Sequence, residues 1–249
     1  MTMDSSSVPQ KRTGRHLVVG TPLLKPEVLV FSGLRDVDVL LGGFRAGEVT
    51  CVDGDSVFVS QMPYRLLVNT YKAFHCDSLY IDAGLRADPY RVARYAQMLE
   101  LESRDVLDRV HISRAFTVYQ LATLVCERLE PAIQRYHPQT VVVGQLPLLF
   151  ADHDVKTIEA QTLFAEVLKT LRVLTETYGV VMVLTNYDKL LVSTRRQLRS
   201  TLYEQVDEVV TMNNHEQRIH VSLMKKGVST SMYACANGQR RLQEFGAVI

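Results

Sequence analysis

The sequence predicts an α/β fold: a mostly parallel, twisted sheet flanked by helices on both faces, with antiparallel strands at its C-terminal end. Three observations carry this. Short runs rich in β-branched residues alternate with segments whose apolar residues recur at helical spacing, the pattern of βαβ units. Past residue 208 such runs follow one another with no room for helices between them, which makes that end antiparallel. No internal repeat or low-complexity linker divides the chain, so one domain holds the sheet.

Taken in order, residues 1–27 read as an irregular arm. Ser5-Ser6-Ser7, Pro9, Gly14, Pro22 and Pro26 break any period, and Lys11, Arg12 and Arg15 add mild positive charge. The core domain is expected over residues 28–249. Its strands are predicted at Val49–Asp53, Ser78–Asp82, Val110–Ser113, Thr140–Val143, Gly179–Thr185, Glu208–Met212 and Arg218–Met224. Helices are predicted at Tyr64–Phe74, Pro89–Leu101, Tyr119–Tyr136 and Ile158–Tyr178.

The chain has 249 residues, 28 Lys+Arg against 27 Asp+Glu, and is 47% hydrophobic and 22% charged, which excludes a disordered or collagen-like chain. A net charge of +1 excludes polybasic, histone-like binding of nucleic acid but leaves room for a local basic patch. Such a patch exists. Residues 29–185 carry fifteen basic and nineteen acidic groups, whereas residues 186–249 carry nine and six. The densest basic stretch, Lys189 to Arg199, holds Lys189, Arg195, Arg196 and Arg199 and no acid. Cys51, Cys76, Cys126 and Cys235 lie far apart in apolar surroundings, so buried free thiols are expected, with no zinc site and no disulfide framework. The polar N-terminus lacks the apolar segment of an export signal, and the longest apolar stretch, Val141–Ala151, is about half a bilayer span. A cytoplasmic location with no membrane contact is expected.

Ligands of open α/β sheets bind at the carboxyl ends of the strands. Here the strand Glu48–Asp53 runs into Gly54-Asp55-Ser56-Val57-Phe58-Val59-Ser60-Gln61-Met62 and then a helix, which is the setting of a phosphate-binding loop. The motif G-x-x-x-x-G-K-[ST] itself is absent. The same loop also reads as a plain strand-to-helix connection, with Ser60 as N-cap, Pro63 in the first turn, and Met62 and Leu66 packing inward.

The stretch Phe31-Ser32-Gly33-Leu34-Arg35-Asp36-Val37-Asp38-Val39-Leu40-Leu41-Gly42-Gly43 through Gly47-Glu48-Val49-Thr50 resembles the opening of the RecA/RadA recombinase core. The likeness continues through Leu79-Tyr80-Ile81-Asp82-Ala83-Gly84, Arg91-Val92, His111-Ile112-Ser113-Arg114-Ala115-Phe116, Thr140–Val143 and Val183-Leu184-Thr185-Asn186, covering roughly residues 28–235. It implies a RecA-like fold and a degenerate, archaeal-type RadA paralogue. Against the family pattern, Gly54 keeps the first Walker glycine and Asp55 follows it, while Val57, Phe58 and Val59 replace the glycine-rich stretch. Ser60 falls at the lysine, Gln61 at the magnesium-binding hydroxyl, Gly144 at the Walker B aspartate, Gly84 at the catalytic glutamate and Tyr187 at the γ-phosphate-sensing glutamine. Gly54, Asp55, Phe58, Ser60 and Gln61 are thus expected to form a vestigial loop with no catalytic residue, no cofactor and no metal.

The resemblance also marks DNA-facing loops. That at Ala151–Glu159 carries Asp152, His153 and Asp154, which disfavour a phosphate backbone. The other spans Lys189–Leu202, where Lys189, Arg195, Arg196 and Arg199 become candidate DNA contacts, with Lys225 and Lys226 a weaker second pair. No Phe precedes Phe31, so the family's Phe-x-x-Ala linker is not found, nor is there room ahead of the core for its helix-hairpin-helix domain. A homo-oligomer is open, but a long homofilament is not expected. The expected function is non-catalytic assistance to DNA recombination or repair, by binding single-stranded DNA with modest affinity, a RadA/RecA-type recombinase, or both. The alternatives are an interaction scaffold or regulator of RecA/KaiC-like type without DNA binding, and an ATP-binding protein whose Gly54 loop receives a Lys or Arg from elsewhere.

Overall fold

The computed structural model describes residues 28–151, 154–187 and 193–233, apart from the side chains of 193–196. The arm, residues 1–27, lies outside them. The elements run β1 (Leu29–Val30), α1 (Arg35–Leu41), β2 (Phe44–Arg45), β3 (Val49–Gly54), α2 (Val57–Phe74), β4 (Ser78–Asp82), α3 (Pro89–Met98), α4 (Ser103–Asp108) and β5 (Val110–Arg114). They continue with α5 (Val118–Thr123), α6 (Leu129–Tyr136), β6 (Thr140–Gly144), α7 (Leu146–Phe150), α8 (Thr157–Tyr178), β7 (Val181–Tyr187), α9 (Ser193–Gln205), β8 (Glu208–His215), β9 (Arg218–Leu223) and β10 (Val228–Tyr233).

Eight strands form one sheet in the order β10-β9-β8-β3-β7-β6-β4-β5, and β1 and β2 make a small antiparallel pair beside it. The strands from β3 to β8 run parallel, and the β8–β9 and β9–β10 pairings are antiparallel, so β9 alone runs against the rest of the sheet. The antiparallel end begins with the β8–β9 pairing, as expected, while the other edge of β8 joins the parallel strands through β3.

Two-sided burial explains the composition of the central strands. Cys51, Ile81, Val141, Val143 and Leu184 point to one face, where they meet Leu121, Phe164, Leu171 and Leu202 of α5, α8 and α9. Val52, Tyr80, Val142 and Val183 point to the other, against Val37 of α1 and Val59, Met62 and Leu66 of α2. Each fully buried aliphatic side chain contributes about 1.5–3 kcal/mol, so both layers are needed to hold the sheet. Of the cysteines, Cys51 is buried, whereas Cys76 and Cys126 are only partly so, which corrects the expectation for those two; all three are free thiols. Cys235 lies outside the described residues.

The helix expected over 119–136 is present and runs unbroken from Val118 to Tyr136, with one π-type bulge inside it. Between α5 and α6 the residues Leu124–Arg128 take wider π geometry. Pro131, in the first turn of α6, supplies the reason: its ring excludes the carbonyl of Glu127 and it has no N–H to give. The helix expected over 89–101 ends three residues early, at Met98, and a separate short helix, α4, follows at Ser103–Asp108. No helix among the described residues is long and apolar enough to cross a membrane.

At the sheet's far edge, Asp77 accepts from Arg109 Nη1 at 2.9 Å and meets His111 Nε2 at 2.7 Å. Burial alone would raise its carboxyl, but the hydrogen bonds from His111 and Arg109 outweigh that and hold it below the usual range. A carboxylate lowered by folding stabilises above its unfolded pKa and loses that contribution as pH falls through the folded one. Acid titration of stability should therefore lose on the order of 1 kcal/mol below about pH 4. In Asp77→Asn that limb should be flatter; an unchanged limb would remove the assignment.

Candidate functional site

The carboxyl ends of β3, β4, β6 and β7 form the edge at which an open α/β sheet takes its ligands. Asp53, on β3, is fully buried. Its Oδ2 accepts from Arg199 Nε at 2.6 Å and from the Tyr203 hydroxyl at 2.8 Å, both reaching down from α9. Arg199 and Tyr203 are one helical turn apart, so a single face of α9 presents both. The Arg199 guanidinium also lies 5.5 Å from the Tyr203 ring centre and within 3.0 Å of its hydroxyl. Burial, with the Asp53 charge, pushes the Tyr203 hydroxyl well above its ordinary range, so it stays a donor.

Beyond Asp53, Gly54 takes a φ of 138°, and a Cβ there would run into the Met212 carbonyl of β8. The glycine is thus explained by close strand packing. Only Asp55 and Ser56 separate β3 from α2. Ser56 caps the helix by accepting from Phe58 N, while Ser60 donates back to the Val57 carbonyl at 2.7 Å. The expectation that Ser60 caps and Pro63 occupies the first turn is corrected: the helix begins at Val57 and carries Pro63 in its interior. Met62 and Leu66 do pack inward, fully buried. Val57, Phe58 and Val59 lie in the first helical turn instead of a loop, with Phe58 and Val59 in the core. Asp55 is turned toward β8, accepting from Asn214 N at 2.7 Å.

The glycines at the other key positions are filled in from neighbouring side chains. A Cβ on Gly144 would sit 2.8 Å from the Tyr80 hydroxyl, and one on Gly84 would collide with the Gln145 side chain. Gln145 itself, in the left-handed region at φ 58°, reaches across to β7. Its amide donates to the Tyr187 carbonyl and accepts from the Tyr187 N–H, both at 3.2 Å. Arg86 covers the Tyr187 ring at 5.2 Å. Asp82 is fully buried and accepts from Gly84 N at 3.1 Å and Ala87 N at 2.6 Å, with Arg114 3.7 Å away. Both carboxylates of this edge are therefore engaged by the protein's own groups.

The Rad51 family model matches residues 25–225, and with it the strands and helices that build this edge. The chain belongs to the Rad51 family. It is 26% identical over 168 residues to the DNA repair protein RAD51 homolog 1 of Arabidopsis thaliana, a match covering 64% of this chain and 49% of that one. The chain thus spans about half the length of this curated relative.

Within this Rad51-family fold the six candidate DNA contacts do not form one free patch. Lys189 lies outside the described residues, as do the side chains of Arg195 and Arg196. Arg199 is turned inward onto Asp53, so the proposed role as a free phosphate contact is corrected: its guanidinium serves a buried carboxylate. Lys225 donates to the Val206 carbonyl, and its own N–H is held by Glu208 Oε1 at 2.9 Å. Lys226 is exposed in the turn between β9 and β10. Asp152 and His153 also lie outside the described residues, and Gln61 lines a cavity between α2 and α3. Sequence reasoning missed the parts played by Arg199, Tyr203 and Gln145. A signal existed for the first two: an Asp ending an apolar strand needs a buried cation or donors, and the Arg-x-x-x-Tyr spacing offers both.

Proposed function

We propose that this Rad51-family protein is a non-catalytic participant in DNA recombination or repair that works by binding. The observation carrying this reading is that the strand edge where a nucleotide would sit is occupied by the protein's own side chains: Arg199 on Asp53, Tyr80 against Gly144, Gln145 against Gly84 and Tyr187. A magnesium nucleotide fits these residues poorly. Phosphoryl transfer needs a cation on the β and γ phosphates, a metal ligand and a group to orient water. Ser60 spends its hydroxyl on a backbone carbonyl, and Asp53 and Asp82 are committed to internal donors.

Calorimetry with magnesium ATP should show no binding at the Gly54 turn, and no phosphate release should be detected above buffer; stoichiometric binding there with turnover would sink the reading. Single-stranded DNA at low salt tests the α9 cations, using Arg195→Ala/Arg196→Ala with Arg199 left in place. A recombinase as the principal partner is the second reading. It is favoured by the internal engagement of Arg199 and Lys225, which thins the basic surface. It is also favoured by β5, whose outer edge pairs with no strand among the described residues and so can accept an extended segment.

A further inference from the structure

Between α2 and α3 lies a cavity of about 250 Å³, walled at one end by Val57 and Gln61 and otherwise by residues that the edge described above does not use. Arg65 of α2 and Arg91 and Arg94 of α3 all line it, together with Gln61 and Tyr95. Three guanidinium groups around one small cavity repel one another unless something negative joins them.

The cations are only partly answered by the protein. Arg65 is 8% exposed. One terminal nitrogen donates to the Tyr95 hydroxyl at 3.1 Å, and its guanidinium is sandwiched between the Phe58 and Tyr95 rings at 5.6 and 5.0 Å. Its Nε, however, is buried with no hydrogen-bond partner. The guanidinium thus keeps a buried donor without a partner and has no ion pair among the described residues. The neighbouring Asp38 contributes a charge but spends its oxygens on Ser32 and Gly33. Arg91 lies 3.5 Å from Asp88 in an exposed pair and over the Tyr64 ring. Arg94 makes no hydrogen bond or ion pair with the described residues, nor does the Gln61 amide.

We infer that this cavity is a binding site for a phosphate group. A phosphate monoester carries roughly two negative charges and three acceptor oxygens, enough to engage several guanidinium forks at once, where a carboxylate brings one charge and two oxygens. The volume admits a phosphate or a diphosphate, and Gln61 and the Tyr95 hydroxyl supply neutral donors at its wall. The phosphate can belong to a small phosphorylated molecule or to the 5′ end of a DNA strand.

The test is calorimetry on the full chain at low salt with inorganic pyrophosphate, and with one short oligonucleotide carrying either a 5′-phosphate or a 5′-hydroxyl. Pyrophosphate should bind one to one, and Arg91→Ala/Arg94→Ala should weaken it about tenfold or more. Arg94→Ala alone, which breaks no contact of the fold, should weaken it measurably with an unchanged melting curve. A gain from the 5′-phosphate that vanishes in the same variants assigns the site to DNA ends; pyrophosphate binding without that gain assigns it to small phosphates. No binding of either probe, binding indifferent to both variants, or equal affinity for a glutamate-rich peptide overturns the inference. The outcome separates from that of the preceding reading. ATP binding abolished by Arg94→Ala belongs to this cavity, whereas ATP binding that survives the substitution belongs to the Gly54 turn.

Discussion

Arg199→Ala is expected to lower the unfolding free energy by about 3–5 kcal/mol, one of the two largest losses among the substitutions considered. Asp53 is fully buried, and in the variant its only remaining side-chain partner is the Tyr203 hydroxyl, since its Oδ1 already lacks one. Removing one member of a buried pair leaves the other charge desolvated and uncompensated, and that penalty exceeds the value of the pair itself. Asp53→Asn/Arg199→Met, which removes both charges and keeps the volume, should therefore recover most of the loss. Urea unfolding checks both, with the midpoint falling sharply in the single variant and only slightly in the double. A loss under about 1 kcal/mol in Arg199→Ala would mean that the pair is not desolvated as described. The result also governs how DNA binding is probed: a variant that includes Arg199 would lose affinity through unfolding, so Arg195 and Arg196 are the informative positions.

Gly54→Ala should be equally damaging for a different reason, at about 4 kcal/mol or more. At φ 138° the new Cβ meets the backbone of Met212, which cannot swing aside as a side chain could. Relief requires β3 and β8 to part near the Asp53–Thr211 pairing, next to the Arg199 contact. Gly179→Ala is the control. Its φ of 62° carries the usual left-handed penalty, about 1–2 kcal/mol, but nothing lies within 4 Å of the added carbon. If the two variants unfold at similar urea concentrations, the close approach of the strands is not what fixes Gly54.

Much of this architecture is legible in the sequence, and the reasons for the exceptions are physical. The bounds of β4 match expectation because Ser78 to Asp82 is buried throughout and both neighbouring strands pair with all of it. β10 goes unseen because Val228–Tyr233 is mostly exposed and shows no apolar run. The start of α2 is misplaced because valines and a phenylalanine beside a glycine read as loop filler, while Ser56 caps the helix two residues after Gly54. At the site, the residues that the family resemblance aligns with the Walker and catalytic positions can be read one by one in the sequence. What fills the space around them cannot, because Tyr80, Gln145 and Arg199 reach it only through strand order and helix placement. The arginines of the α2–α3 cavity stand 26 or more positions apart in sequence between Arg65 and α3, so no local pattern announces them.

The paired hydrogen bonds between Gln145 and Tyr187 carry a consequence for regulation. They tie the ends of β6 and β7 to each other at the place where the family resemblance puts the sensor of bound triphosphate. A ligand shifts a protein between two shapes only in so far as it binds one better than the other. On the binding reading, a tip stapled by its own amide has no second shape for ATP or ADP to select. Such a subunit would be constitutive: its engagement would follow its abundance and that of its partner, and it would hold on or let go with no clock of hydrolysis to time it.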